Sequence, residues 1–185
     1  MIKIALLSSP LCDFGKKIID FSLKNVDEKI YTLNDLIGSN GTLVMFICNH
    51  CPYVKAIITK LVTTTRELEK IGINSIAIMP NDQDEYKEDN NKFLLEQITR
   101  AKFKFDYIVD DFQTIAKLFD VQCTPEFYYF NKDKKLKYRG RLDSNQKDPS
   151  MGKPELYYAV EEIILKGYCS SQQYPSMGCS IKWKS

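Results

Sequence analysis

Apolar side chains run without a break from Leu43 to Ile47, behind Gly41 and Thr42. A run this short, partly β-branched and bounded by glycine, predicts a strand over Thr42–Ile47 that is buried on both faces. Beyond Pro52 the spacing changes. Val54, Ile57, Ile58, Leu61, Val62, Leu68 and Ile71 recur at helical intervals until Gly72 stops them. Ile73 to Met79 is a second buried strand. Strand, long helix and strand form a βαβ unit, whose strands should be parallel and whose crossover should be right-handed.

Upstream, Ile18 to Leu23 and Lys29 to Thr32 read as a β-hairpin around Asn25-Val26-Asp27-Glu28, and Asn34 to Ile37 as a helical turn. Residues 1–14 show no periodicity and are expected to be a loosely held arm. Downstream, a polar connection from Asp82 to Glu88 precedes a helix from about Asp89 to Ala101. Phe103 to Val109 should be extended, and Phe112, Ile115, Ala116 and Phe119 mark a short helix. Glu126 to Phe130 and Leu136 to Gly140 should pair antiparallel, followed by a last helix over Pro154–Lys166 with Gly167 after it. This order predicts an α/β fold: a central mixed β-sheet with helices on both faces and an N-terminal β-hairpin extension. The domain is expected over 15–167, with a tail at 168–185 whose Ile181 and Trp183 dock on it.

Composition narrows the functional classes. The 185 residues suit one domain, and 44% apolar and 27% charged residues are ordinary for a globular chain. A net charge of +2 leaves no electrostatic footprint for nucleic acid or an anionic membrane. The apolar start, Met1 to Leu7, meets Ser8-Ser9-Pro10 before reaching the ~7–15 residues of a secretory h-region. No run approaches the ~18 residues of a membrane span. A soluble, cytoplasmic protein is expected. There, cysteines serve catalysis or metal binding more often than structural disulfides, and this chain has six, at 12, 48, 51, 123, 169 and 179.

Two of them lie in Cys48-Asn49-His50-Cys51-Pro52, between the buried strand and the long helix. Proline fits a helix only in its first turn, so the pair lies at the helix N-terminus, where unpaired amides and the macrodipole favour thiolate. The spacing lets one cysteine attack a mixed disulfide formed by the other. In a folded turn the exposed first cysteine is expected to attack and the second, facing the helix base, to resolve. His50, the only histidine, can add positive charge near neutral pH. Two rival readings remain open here: buried thiols that merely pack, and a zinc site from Cys48, His50, Cys51 and Cys123, for which adjacent His50 and Cys51 are awkward. Farther on, Pro125 opens a buried strand at the cost of a ladder hydrogen bond. A cis Thr124–Pro125 bond would account for it and turn the backbone toward an extended substrate.

Phe46 to Lys55 (FICNHCPYVK), the Thr124-Pro125 strand and the terminal Gly178-Cys179-Ser180-Ile181-Lys182-Trp183-Lys184 together resemble a known group. It is the peroxiredoxin-like group of the thioredoxin superfamily, related to the AhpC/TSA domain and to TlpA/ResA-type thioredoxins. The resemblance runs from Gly15 to Lys184 and implies a thioredoxin fold. It implies Cys48 as the attacking thiol, Cys51 as the resolving thiol, and Asn49, His50 and Pro52 as groups that tune the couple. Pro125 would be a cis-proline shaping the substrate groove, and Thr124 would offer it backbone hydrogen bonds. Cys123 would border the site as a third thiol, or serve as a small buried hydrophobe. Cys12, Cys169 and Cys179 lie in poorly patterned ends; a tail-to-core disulfide stays open among them, although neither spacing nor motif argues for one.

The chain departs from both relatives. Thioredoxins have tryptophan before the first cysteine and Gly-Pro between the two, where Ile47 and Asn49-His50 stand here. Peroxiredoxins carry Pro-x-x-x-Thr-x-x-Cys, whereas Gly41 and Met45 occupy the matching positions before Cys48. The expected function is therefore thiol–disulfide oxidoreduction by a Cys48–Cys51 couple, without metal or cofactor. Its partners would be a protein or small-molecule disulfide and a thiol electron donor, and the chain would be a monomer or weak homodimer. The alternatives are a peroxide-reducing antioxidant protein and a non-catalytic binding or metal-carrying protein.

Overall fold

The computed structural model describes residues 6–8 and 14–185. The expected arm, with Cys12, lies largely outside them. The elements run β1 (Leu6–Ser8), β2 (Ser22–Asn25), β3 (Ile30–Thr32), β4 (Gly41–Phe46), α1 (Pro52–Lys70), β5 (Ile73–Met79) and α2 (Asn91–Ala101). They continue with β6 (Asp106–Val109), α3 (Thr114–Leu118), β7 (Cys123–Thr124), β8 (Glu126–Asn131), β9 (Leu136–Gly140), α4 (Glu155–Lys166) and β10 (Met177–Ser180).

The central sheet has the order β3-β2-β6-β5-β4-β8-β9. β5 and β6 are parallel, while β4–β8, β8–β9, β2–β3 and β2–β6 are antiparallel. β4 and β5 also run the same way. The Asn40 N–H reaches Gly72 O at their start (2.9 Å), and the Ile47 N–H reaches Ile78 O at their end (3.2 Å). The sheet is mixed, as the hydrophobic pattern predicted.

Strand periodicity divides the core into two layers. Leu43, Met45 and Ile47 of the β4 stretch face the layer that holds Ile57 and Leu61 of α1, Leu94 of α2 and Val160 of α4. Val44 and Phe46 face the other, with Ile115 of α3 and with Leu33 and Leu36 of a 3₁₀ turn. Tyr128 and Phe130 of β8 alternate against Phe127 and Tyr129 in the same way.

The expected first hairpin strand, Ile18–Leu23, is displaced to Ser22–Asn25. There Lys24 and Asn25 pair with Val109 and Ile108 of β6, while Ile18 N–H donates to Lys134 O beside β9. Ile18–Leu23 is the more apolar stretch, and the edge that β6 offers, rather than local pattern, makes Ser22–Asn25 the strand.

A second, small sheet has the order β1-β10-β7. Leu6, Leu7 and Ser8 pair with Cys179, Gly178 and Met177, and Cys179 and Ser180 pair with Thr124 and Cys123. The tail then continues with Ile181 buried in the second core layer, while Trp183 stays 41% exposed beneath the Lys117 ammonium. Gly178 permits this close approach, since a Cβ there would meet the Thr124 carbonyl oxygen at 2.1 Å. Gly178→Ala is expected to cost about 1–3 kcal/mol in urea unfolding, the usual range for overpacking a tight contact. A variant as stable as the parent would show that β10 does not hold this register.

Candidate functional site

Strand β4 delivers the chain buried to Ile47, and α1 begins at Pro52. Proline loses nothing at this first helical position, because its missing N–H would have had no intrahelical acceptor. The N-cap residue is therefore Cys51, and Cys48 lies before the turn, at the strand end. The second cysteine does sit at the helix base as expected, but the expectation that the first is exposed is corrected. Cys48 and Cys51 are both 0% exposed, and it is Cys51 that sits at the positive helix end.

Three thiols converge there. Cys51 Sγ lies 2.8 Å from Cys179 Sγ and 3.2 Å from the Thr124 carbonyl oxygen. Cys48 Sγ lies 3.4 Å from Thr124 Oγ1. The contacts of Cys51 with the Cys179 and Cys48 sulfurs, with the Val54 N–H, bring its pKa far below the ordinary thiol value against the cost of burial. While protonated, Cys51 donates to the Thr124 carbonyl oxygen. Cys48 shifts the other way, because burial penalises its charge, its proton is engaged by Cys51, and the Asp89 carboxylate is near. Cys179 is likewise raised, by its bond to Cys51 and by burial. The arrangement favours one thiolate, on Cys51, between two protonated neighbours.

The turn that sets this geometry is clamped by Asp89, which sequence reasoning did not single out. Asp89 is fully buried. Its Oδ1 accepts from the Asn49 N–H (2.8 Å) and the His50 N–H (3.0 Å). Its Oδ2 accepts from Asn81 Nδ2 (2.8 Å) and lies 2.6 Å from His50 Nδ1. The His50 ring, stacked on Tyr86, thus spends its hydrogen bond on Asp89, so the expected role of lending charge to a thiolate is not what the geometry provides. The Asn49 side chain points outward, donating to Glu88 O (2.9 Å).

The Thr124–Pro125 peptide is cis. Thr124 is buried and its strand edge is paired with Cys179, so the backbone expected to meet a substrate already carries a strand of the same chain. Cys123 is buried, its Sγ 4.0 Å from Pro125 O. Cys169 follows α4 and donates to Ser171 O (3.4 Å). Among the described residues the grouping with metal-ligand spacing is Cys48, His50 and Asp89. It differs from the set weighed on the sequence, and an ion there would displace the hydrogen bond that joins His50 to Asp89. For Asp89 itself no local pattern gives a signal. Cys179 lies in the Gly178–Lys184 motif, but nothing in the sequence pairs it with another group.

Comparison with known proteins follows these features. The AhpC/TSA family matches residues 14–139. No curated protein matches the chain. An uncharacterized conserved protein from Geobacillus kaustophilus has a crystal structure that is 36% identical, covers 99% of this chain and 98% of its own, and superposes with a TM-score of 0.90. A hypothetical protein from Sinorhizobium meliloti is 28% identical over 96% and 98%, with a TM-score of 0.89. The thioredoxin domain of a thiol-disulfide oxidoreductase from Bacteroides vulgatus shares 14% identity over 83% and 99%, with a TM-score of 0.64, a likeness of fold.

The charge assignment has a direct test. A free cysteine, with pKa about 8.5, holds under about 1% thiolate at pH 6. The ultraviolet thiolate absorbance of the reduced protein is expected to retain one thiolate below pH 6, and Cys51→Ser is expected to remove it. A signal that vanishes by pH 7 as in free cysteine would sink the assignment.

Proposed function

The chain belongs to the AhpC/TSA family and has the thioredoxin fold, and within that frame we propose that it is a thiol–disulfide oxidoreductase whose nucleophile is Cys51. The observation that carries this reading is the N-cap position of Cys51, with a second buried thiol, Cys48, three residues before it.

In the proposed reaction the Cys51 thiolate attacks one sulfur of a substrate disulfide. The S–S bond breaks, one substrate sulfur leaves as thiolate, and a mixed disulfide remains on Cys51. Cys48 then gives up its proton and attacks the Cys51 sulfur, expelling the second substrate thiol, which takes up the proton. Two electrons have passed to the substrate, and a thiol donor returns them from outside. The Asp89–His50 pair lies beside Cys48, within 4.8 Å by its donor atoms, where it can relay that proton to the departing substrate sulfur. The order of roles reverses that implied by the family resemblance, for the physical reason that the helix cap belongs to Cys51.

A peroxide-reducing role is less well supported. Counted back from Cys51, the positions of the peroxiredoxin proline and threonine are held by Val44 and Cys48. Among the described residues no helix is long and apolar enough to cross a membrane.

Cys51→Ser is expected to lower reduction of a peptide disulfide roughly hundred-fold or more, as loss of an activated nucleophile does. Undiminished reduction by this variant would refute the reading, and faster oxidation of Cys51 by peroxide than by disulfide would favour the peroxidase.

A further inference from the structure

Cys179 stands outside the two-cysteine motif, yet it is as close to the nucleophile as any group in the site. It reaches Cys51 through an element with no other evident chemistry, the tail strand β10. That strand is gripped on both sides, by Leu6–Ser8 and by Cys123–Thr124. The segment after it is tied to the domain as well. The Lys182 N–H donates to Asn81 Oδ1 (2.9 Å), and Lys182 O accepts from the Asp82 N–H (2.9 Å) and Gln113 Nε2 (2.7 Å). The Cys179 thiol is therefore held in place, 2% exposed and 2.8 Å from Cys51 Sγ, where thiol–disulfide exchange requires a resolving sulfur.

We propose that Cys179 is a second resolving thiol for Cys51, so that the mixed disulfide can be released from the tail strand as well as from the Cys48 side. The proposal rests on the reading of Cys51 as nucleophile. In the step it adds, the Cys179 sulfur loses its proton and bonds to the Cys51 sulfur of the mixed disulfide. The bond from Cys51 to the substrate sulfur breaks, and the departing substrate thiolate takes the proton. The product is a Cys51–Cys179 disulfide, two electrons having gone to the substrate disulfide. Oxidation on this route ties the tail strand covalently to the head of α1, across 128 positions of sequence. Cys48→Ser is then left with a working resolving thiol.

The test treats reduced full-length protein with oxidised glutathione, quenches in acid, alkylates and maps the disulfides by mass. In Cys48→Ser, glutathione is expected to be released and a Cys51–Cys179 disulfide to form. In the double variant Cys48→Ser with Cys179→Ser, glutathione is expected to stay on Cys51. Glutathione persisting on Cys51 in Cys48→Ser, with no Cys51–Cys179 link, overturns the proposal and leaves the nucleophile reading standing. No glutathione on Cys51 in the double variant, and no link in the single one, overturns that reading and the proposal with it. Should circular dichroism show Cys48→Ser unfolded, rapid quenching of the parent protein decides instead. A Cys51–Cys179 fraction at early times supports the proposal, and its absence while Cys48–Cys51 accumulates overturns it.

Discussion

Asp89 has no surface in water, and a carboxylate so placed must be met by donors. The four it meets are the backbone N–H groups of Asn49 and His50, the His50 ring and the Asn81 amide. Three belong to the turn between β4 and α1, and the fourth lies just beyond β5. One buried charge thus fixes where the strand stops and the helix starts. Because Cys48 and Cys51 flank that turn, the carboxylate also fixes their separation and gives them unlike surroundings. Cys48 lies near its negative charge and away from the helix cap, while Cys51 takes the helix end.

The opposite wall is built by the segment from Cys123 to Glu126. Glu126 is buried and held by Arg139 Nε (2.8 Å), Tyr128 Oη (2.9 Å) and the Gln122 N–H (3.0 Å). Removing one partner of a buried pair of this kind generally costs about 3–5 kcal/mol. This anchor holds Thr124 so that its hydroxyl meets Cys48 and its carbonyl faces Cys51. The tail strand then adds to the same edge and brings Cys179 in. The site is a junction of three segments, each held by its own buried polar contacts.

Much of the fold was legible in the chain, because period and punctuation are local properties. The strands at 41–46 and 73–79, the helix at 52–70 and the pair at 126–131 and 136–140 fall within a residue or so of the ranges read from apolar spacing and glycine or proline stops. The first hairpin strand was displaced, since the apolar Ile18–Leu23 reads as the strand until β6 offers its edge to the more polar Ser22–Asn25. The small sheet of β1, β10 and β7 was not legible at all, because its strands are short and come from three distant parts of the chain.

The same division runs through the site. The sequence by itself determined that two cysteines and a proline stand between a buried strand and a long helix, and so that a thiol lies at a helix N-terminus. The tertiary structure alone decided which thiol that is, and which groups surround it. Asp89 arrives from 40 positions beyond Asn49, and Cys179 from 128 beyond Cys51. A helix start follows from the steric limits of proline and the spacing of neighbouring residues. The charge state of a buried sulfur depends on the sum of donors, acceptors and lost water around it, and those are assembled only when distant segments pack together.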